Sequence, residues 1–290
     1  MSGSDARKQR RPARPREQAA EVDPVAQVLV DVPLAHLDRP FDYEVPQTMA
    51  AAAVPGARVK VRFAGQLVDG FLVARRAASE HQGPLAPLRR VVSAEPVLSP
   101  EVAALTAAVA ARYAGTRSDV LRLAVPPRHA VTEKQPSQPA PPLTARSDGR
   151  SWGAYLRGPE LVAELVAGAS PRVVWSALPG DPWERCLVQA VLATRESGRG
   201  ALVCVPDRRD LDRIDAALSA ELGPGQHVVL TADSGPAKRY AAFLAVSRAA
   251  VQIVVGTRAA AFAPVRDLGL VTIWDDGDDL YAEPRAPYPH

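Results

Sequence analysis

The residues best suited to chemistry gather at two turns in the second half of the chain. The first reads Ala177-Leu-Pro-Gly-Asp-Pro-Trp-Glu184 and joins an apolar run to a helix-like segment. In parallel-sheet folds ligands lie where strand C-termini meet helix N-termini, so a phosphate cradle belongs at such a turn. A working cradle needs glycines whose N–H groups converge on the phosphates, a lysine reaching the β- and γ-phosphates, and a Ser or Thr hydroxyl on Mg²⁺. Here Gly180 is the single glycine. Asp181 and Glu184 set carboxylates against phosphate, Pro182 removes an N–H donor, and Trp183 fills the volume a phosphate would need. Pro182 also suits the first position of a helix. The second turn, Asp275-Asp-Gly-Asp-Asp279, follows an apolar strand pattern over 270–274. An acidic cluster at a strand end binds Mg²⁺ or Ca²⁺, or is a solvated turn after a buried strand; EF-hand spacing and its closing Glu are absent.

A different chemistry is offered upstream. Arg58, Lys60 and Arg62 alternate with valines and share one strand face, which tracks phosphates or is simply solvated. Residues 1–24 carry Arg7, Lys8, Arg10, Arg11, Arg14 and Arg16 among prolines, with too little apolar surface to order them. They read as a disordered basic arm that holds nucleic-acid phosphates without sequence preference, or as a solubilising tail. Cys186 and Cys204 lack paired metal-site spacing and are too few for a disulfide framework, which fits a reducing, cytoplasmic setting. No apolar run approaches the ~18–20 residues that span a bilayer, and no signal-peptide core is present, so no membrane partner is expected.

The elements that must position these residues follow from composition and period. The chain has 290 residues, 47% hydrophobic and 23% charged, enough for about two domains and unlike collagen, coiled coil or wholly disordered chains. Its net charge of +3 permits an anionic partner without requiring one. Strand patterns over 26–32, 58–62 and 67–74, with a Pro-Gly turn at Val54–Ala57, predict a small β-rich domain. Ser99-Pro-Glu101 starts a helix with apolar positions at Val102, Leu105, Val109 and Tyr113, and a short helix over 117–123 follows. The Gln/Pro/Ser/Thr-rich stretch 128–150 predicts a linker. From about 159 onward helices alternate with strands at 172–176, 201–205, 227–230, 252–255 and 270–274, the pattern of a parallel sheet covered on both faces.

Several of these segments together resemble one family. The run from Gly256 to Leu270, GTRAAAFAPVRDLGL, followed by a strand and an acidic turn, is similar to the superfamily II helicase segment of the PriA replication restart (primosomal protein N′) family, G-T-R-S-A-x-F-x-P-x-x-x-L-G before D-E-E-H. Ala201–Pro206 resembles its A-L-V-x-V-P strand. Arg39-Pro-Phe-Asp-Tyr43, Pro55–Val61 (PGARVKV) and Glu95-Pro-Val97 recur in order as in its N-terminal domain, which binds the 3′ end of a nascent leading strand. The resemblance implies an α/β chain: a basic arm at 1–24, a β-rich 3′-DNA-binding domain at 25–127, a linker region at 128–158, and one RecA-like lobe at 159–290. It also implies that the family's second lobe and zinc-binding module lie beyond this sequence, which is expected to be a fragment or truncated gene product.

Departures from the family pattern fall on its ATP site. G-S-G-K-T aligns with Gly180, Asp181, Pro182, Trp183 and Glu184, so tryptophan replaces the phosphate lysine and glutamate replaces the Mg²⁺ threonine. D-E-E-H aligns with Trp274, Asp275, Asp276 and Gly277, replacing the metal-binding aspartate. The degenerate site resembles that of the divergent actinobacterial branch, and ATP, Mg²⁺ and helicase activity are not expected. The family's 3′-end pocket aligns with Phe41, Asp42, Ala64, Gly65 and Arg89. Phe41 then stacks on a terminal base or belongs to the core; Asp42 accepts from a base amine or 3′-hydroxyl; Arg89 holds phosphate. Ala64 stands where the family has a close-approach glycine. The expected function is recognition of branched or stalled-fork DNA and promotion of primosome assembly and helicase reloading, at the nucleoid. The alternatives are an ATP-dependent 3′-to-5′ helicase with an atypical site, and an interaction fold whose DNA affinity comes only from the arm.

Overall fold

The computed structural model describes residues 17–282. Its first half is an antiparallel sheet of β1 (Val25–Val30), β2 (Phe41–Glu44), β3 (Arg58–Phe63), β4 (Gln66–Arg76) and β5 (Arg90–Ser93), in the order β2-β1-β4-β3-β5. Alternation sends Val59 and Val61 inward and Arg62 outward, and these valines share a core with Val28, Tyr43, Val45, Leu72 and Leu88. The sheet curls until its ends meet. Glu44 bridges Pro87, the Leu88 N–H donates to the Glu44 carbonyl at 2.8 Å, and β5 returns to pair β3. Closure of this kind leaves β2 without a bare edge.

The β3–β4 hairpin turns on Ala64 and Gly65, which sit at φ 47° and 81° between the paired Phe63 and Gln66. Two positive φ values mark a type I′ turn, which favours Asn-Gly and strains alanine. Ala64→Asn is expected to stabilise the chain by about 0.5–1 kcal/mol, read as a higher thermal midpoint.

Helices α1 (Pro100–Arg112) and α2 (Arg117–Ala124) start at side-chain caps: Ser99 accepts from the Val102 N–H and Thr116 from the Asp119 N–H. They carry Val102, Leu121 and Ala124 into a core with Leu29 and Phe71 of the sheet and Leu202, Tyr240, Phe243 and Leu244 of the second half. One hydrophobic cluster therefore spans the two halves.

Two expectations of disorder or linkage are corrected. Residues 1–16 of the predicted arm lie outside the described residues, but 17–24 pack on the barrel. Ala19 bridges Pro46, Ala20 is buried, the Gln47 N–H donates to the Gln18 carbonyl, and Arg75 donates to the carbonyls of Val22 and Asp23. Backbone pairing, not apolar mass, orders this piece. The predicted linker at 128–158 is a packed strap containing α3 (Ala130–Glu133) and the buried Trp152. Its prolines need few partners, and the donors it has find acceptors: Gln189 Oε1 accepts from the Ser147 hydroxyl and the Asp148 N–H, while Gln226 donates to the Pro141 carbonyl.

The strap is anchored to both halves by Glu133. Its carboxylate accepts from Arg128 at 2.7 Å, from the Ser93 hydroxyl at 2.6 Å and from the Tyr240 hydroxyl at 2.6 Å. Burial pushes this carboxyl up, but these hydrogen bonds and the Arg128 charge outweigh it and hold it at about 2. Nearby, Arg248 makes a forked pair with Glu95 at 3.0 and 2.7 Å.

The second half contains α4 (Gly158–Val166), α5 (Trp183–Glu196), β6 (Gly200–Cys204), α6 (Arg208–Leu222), β7 (Val228–Leu230), α7 (Pro236–Ser247), β8 (Ile253–Gly256) and β9 (Leu268–Ile273). All four strands run parallel in the order β7-β8-β6-β9. Ala201, Val203, Ile253 and Val255 meet α5 and α6 on one face; Leu202, Cys204 and Val254 meet α7 and the first half on the other. The predicted strand at 172–176 does not form. Trp175 is wedged among Trp152, Tyr155 and Trp274, with ring centroids at 5.0, 5.7 and 5.5 Å, and a cavity of about 680 Å³ separates this segment from β9. Val174 is left 97% exposed, so the apolar pattern here does not report pairing.

Candidate nucleic-acid interface

The mouth of the barrel is built where β2 begins and β3 ends. Phe41 is half-buried and meets Phe63 edge-on at 4.8 Å, while the Arg39 guanidinium lies over its ring at 4.6 Å. The Tyr43 hydroxyl donates to the Arg62 carbonyl at 3.3 Å, tying the two strands together just below. Burial pushes that hydroxyl up to about 12, so it stays a donor. Beyond Phe63 the exposed Ala64–Gly65 turn forms the rim, and a Cβ on Gly65 would meet open space. Asp42, beside Phe41, is half-buried and hydrogen-bonded to Gln27 and Ser79.

The structure thus brings Phe41, Asp42, Ala64 and Gly65 to one end. Arg89 lies further along: its N–H donates to the Lys60 carbonyl, and its side chain is exposed. The three cations of β3 do not act as one surface. Arg58 is drawn into the seam between the halves, donating to the Pro126 carbonyl at 2.6 Å and lying over Phe71 at 5.0 Å; burial lowers its pKa. Its place opposite Phe71 in the hairpin register explains why. Lys60 is paired with Asp69 at 2.8 Å, and Arg62 donates to the Gly65 carbonyl at 3.0 Å. Arg62, Arg89 and Arg90 are exposed and take no part in the ion pairs seen among the described residues. Arg39 and Phe63, which frame the aromatic, escaped sequence reasoning. Their signals were a cation two residues from Phe41 and an aromatic ending a strand just before a glycine turn.

At the turn that aligns with the family's nucleotide motif, the side chains pack on one another. Trp183 and Trp274 stack at 4.2 Å with 10° between planes, and Arg213 covers Trp183 at 5.0 Å. Trp183 is buried at the first turn of α5. Glu184 is bound to Arg213 at 3.1 Å, Asp181 accepts from the Tyr155 hydroxyl at 3.1 Å, and Gly180 stands at φ 83° without neighbours at its Cβ position. Burial and Asp207 raise the Asp210 carboxyl, which also accepts from the Trp274 side chain. After β9, Asp275 and Asp276 line the outer cavity rather than the stack, and the Tyr281 hydroxyl donates to the Trp274 carbonyl at 2.8 Å. These residues do not fit a nucleotide with its metal. The lysine and hydroxyl are missing, and stacked indoles occupy the space. Both cysteines are buried, and burial pushes each thiol up to about 11, unlike metal-ligand thiols.

The fold is a closed antiparallel barrel with its helices, followed by a parallel-sheet lobe. Residues 27–126 match the family model of the PriA 3′ DNA-binding domain (3′BD). The chain is similar to PriA proteins over most of its length. It is 51% identical over 256 residues to the probable replication restart protein PriA of Mycobacterium tuberculosis, covering 88% of this chain and 39% of that protein. The Mycobacterium leprae counterpart is 49% identical over 259 residues, covering 88% and 40%. The replication restart protein PriA of Bacillus subtilis is 34% identical over 82 residues, 28% of this chain. The chain thus spans about two fifths of its mycobacterial relatives. No described helix is long and apolar enough to cross a membrane.

Proposed function

We propose that this chain recognises the 3′ end of a DNA strand at branched or stalled replication forks, and that it serves replication restart without turning over ATP. Phe41, pinned between Phe63 and Arg39, offers a face or wall for the terminal base. Asp42 accepts from the base or the 3′-hydroxyl, and exposed Arg62, Arg89 and Arg90 hold the backbone phosphates. The observation that carries this reading is the half-buried Phe41, framed by Phe63 and Arg39 at the barrel mouth, beside the exposed Arg62 that no carboxylate neutralises. The lobe then acts as a scaffold for primosome and helicase-loading proteins in the cytoplasm, at the nucleoid, with its nucleotide site closed by the Trp183–Trp274 stack.

The test is binding of the full chain to forked DNA bearing a 3′-hydroxyl or a 3′-phosphate, followed by fluorescence anisotropy. Phe41→Ala is expected to weaken hydroxyl-ended binding by about 1–3 kcal/mol, the size of one base–aromatic contact, while blocked-end binding changes little. Equal losses on both substrates would sink the reading. DNA-stimulated ATP hydrolysis abolished by changes at Asp275 or Asp276 would overturn the part of the reading that excludes ATP turnover.

A further inference from the structure

The Asp42 carboxylate is fixed on both oxygens. Gln27 stands directly opposite it in the β1–β2 register, and its Nε2 donates to Oδ1 at 3.3 Å. Ser79 lies in the loop that follows β4, and its hydroxyl donates to Oδ2 at 2.5 Å. That hydroxyl oxygen accepts in turn from the His81 N–H at 3.0 Å. A serine hydroxyl has one proton to give. With the His81 N–H on one lone pair, that proton is directed at Asp42.

An ionised carboxylate offers about four acceptor positions. The two donors, one per oxygen, set the plane of the group and leave its remaining lone pairs for a ligand. The loop carrying Ser79 is itself stitched to the end of β2, where the Glu44 N–H donates to the Ala86 carbonyl at 2.9 Å and Leu88 donates back at 2.8 Å. Ser79 is thus held relative to Asp42 by the barrel closure, not by a free loop tip.

We propose that Gln27 and Ser79 are positioning residues for 3′-end recognition: they orient Asp42 so that its free lone pairs face the terminal nucleotide. This rests on the reading of Asp42 given above. A carboxylate left to rotate would lose selectivity for the hydroxyl end without losing phosphate-driven affinity, because Arg62, Arg89 and Arg90 make no bond to it.

The test measures the ratio of affinities of the full chain for 3′-hydroxyl and 3′-phosphate forks in six proteins: the unaltered chain, Asp42→Asn, Gln27→Ala, Ser79→Ala, the double variant Gln27→Ala/Ser79→Ala, and Ser79→Thr. Gln27→Ala and Ser79→Ala are each expected to lower the ratio several-fold, and together by about tenfold, the scale of hydrogen bonds to a charged group. Ser79→Thr, which keeps the hydroxyl, restores it. Binding to the blocked end reports folding in every variant; should the double variant lose it, Ser79→Ala against Ser79→Thr decides alone. If Asp42→Asn lowers the ratio and the Gln27 and Ser79 variants leave it unchanged, the positioning role is overturned and the reading of Asp42 stands. If Asp42→Asn also leaves it unchanged, both fall.

Discussion

Trp183→Ala is expected to destabilise the second half by about 3–5 kcal/mol, the usual cost of emptying a buried tryptophan site. Trp183 is 5% exposed, stacked on Trp274 on one side and covered by Arg213 on the other. Removing it opens a void, strands the guanidinium and leaves Trp274 without its partner. Trp274→Ala costs less because that ring is only half-buried. The double variant falls short of the sum by about 0.5–1.5 kcal/mol, the coupling of an aromatic pair. Thermal unfolding of the four proteins checks this. The same experiment with Mg·ATP present is expected to show no rise in midpoint for the unaltered chain, since a ligand raises it only by binding the folded state. A concentration-dependent rise would mean that the stack opens to admit nucleotide.

Glu133→Ala is expected to cost a comparable amount, about 3–5 kcal/mol, because it strips a buried charge partner from Arg128 and acceptors from Ser93 and Tyr240 together. Glu133→Gln keeps one acceptor oxygen but not the charge, and its loss should be intermediate. The pH dependence has a definite sign. A carboxyl held at about 2 when folded and near 4.5 when unfolded stabilises the fold above the unfolded value. That contribution disappears as pH falls through about 2. In Glu133→Gln the acid limb of the stability profile should flatten between those limits; an unchanged limb would place the acid sensitivity elsewhere.

The sequence revealed what depends on local period and on side-chain type. Alternation in Arg58–Arg62 located β3, and Ser99-Pro-Glu101 located the start of the first helix. It did not reveal what depends on a distant partner. Nothing local distinguishes Arg58 from Arg62, yet Phe71 and Pro126 bury one while the other stays in water. The strap at 128–158 looked like a linker because its composition cannot build a core. Its order comes from Gln189 and Gln226, far along the chain. Arg172–Ser176 reads as a strand by every local rule, and one indole among three other aromatic rings keeps it from pairing. At the barrel mouth, Phe41 and Asp42 entered through resemblance alone; Gln27 and Ser79 could be seen only once the register of β1 and the path of the loop were known.

The core that joins Leu29, Phe71 and Leu121 to Leu202, Tyr240 and Phe243 has a consequence for how this chain comes apart. The unit that melts is not the unit a domain boundary would draw. Cut out at residues 27–126, the barrel and its helices would expose the apolar side chains that now rest against α7 and β6, and the severed piece would gain a sticky flank in place of an interior. Cooperativity here follows the packing rather than the evolutionary module, so heat should find a single transition where the family boundary implies two.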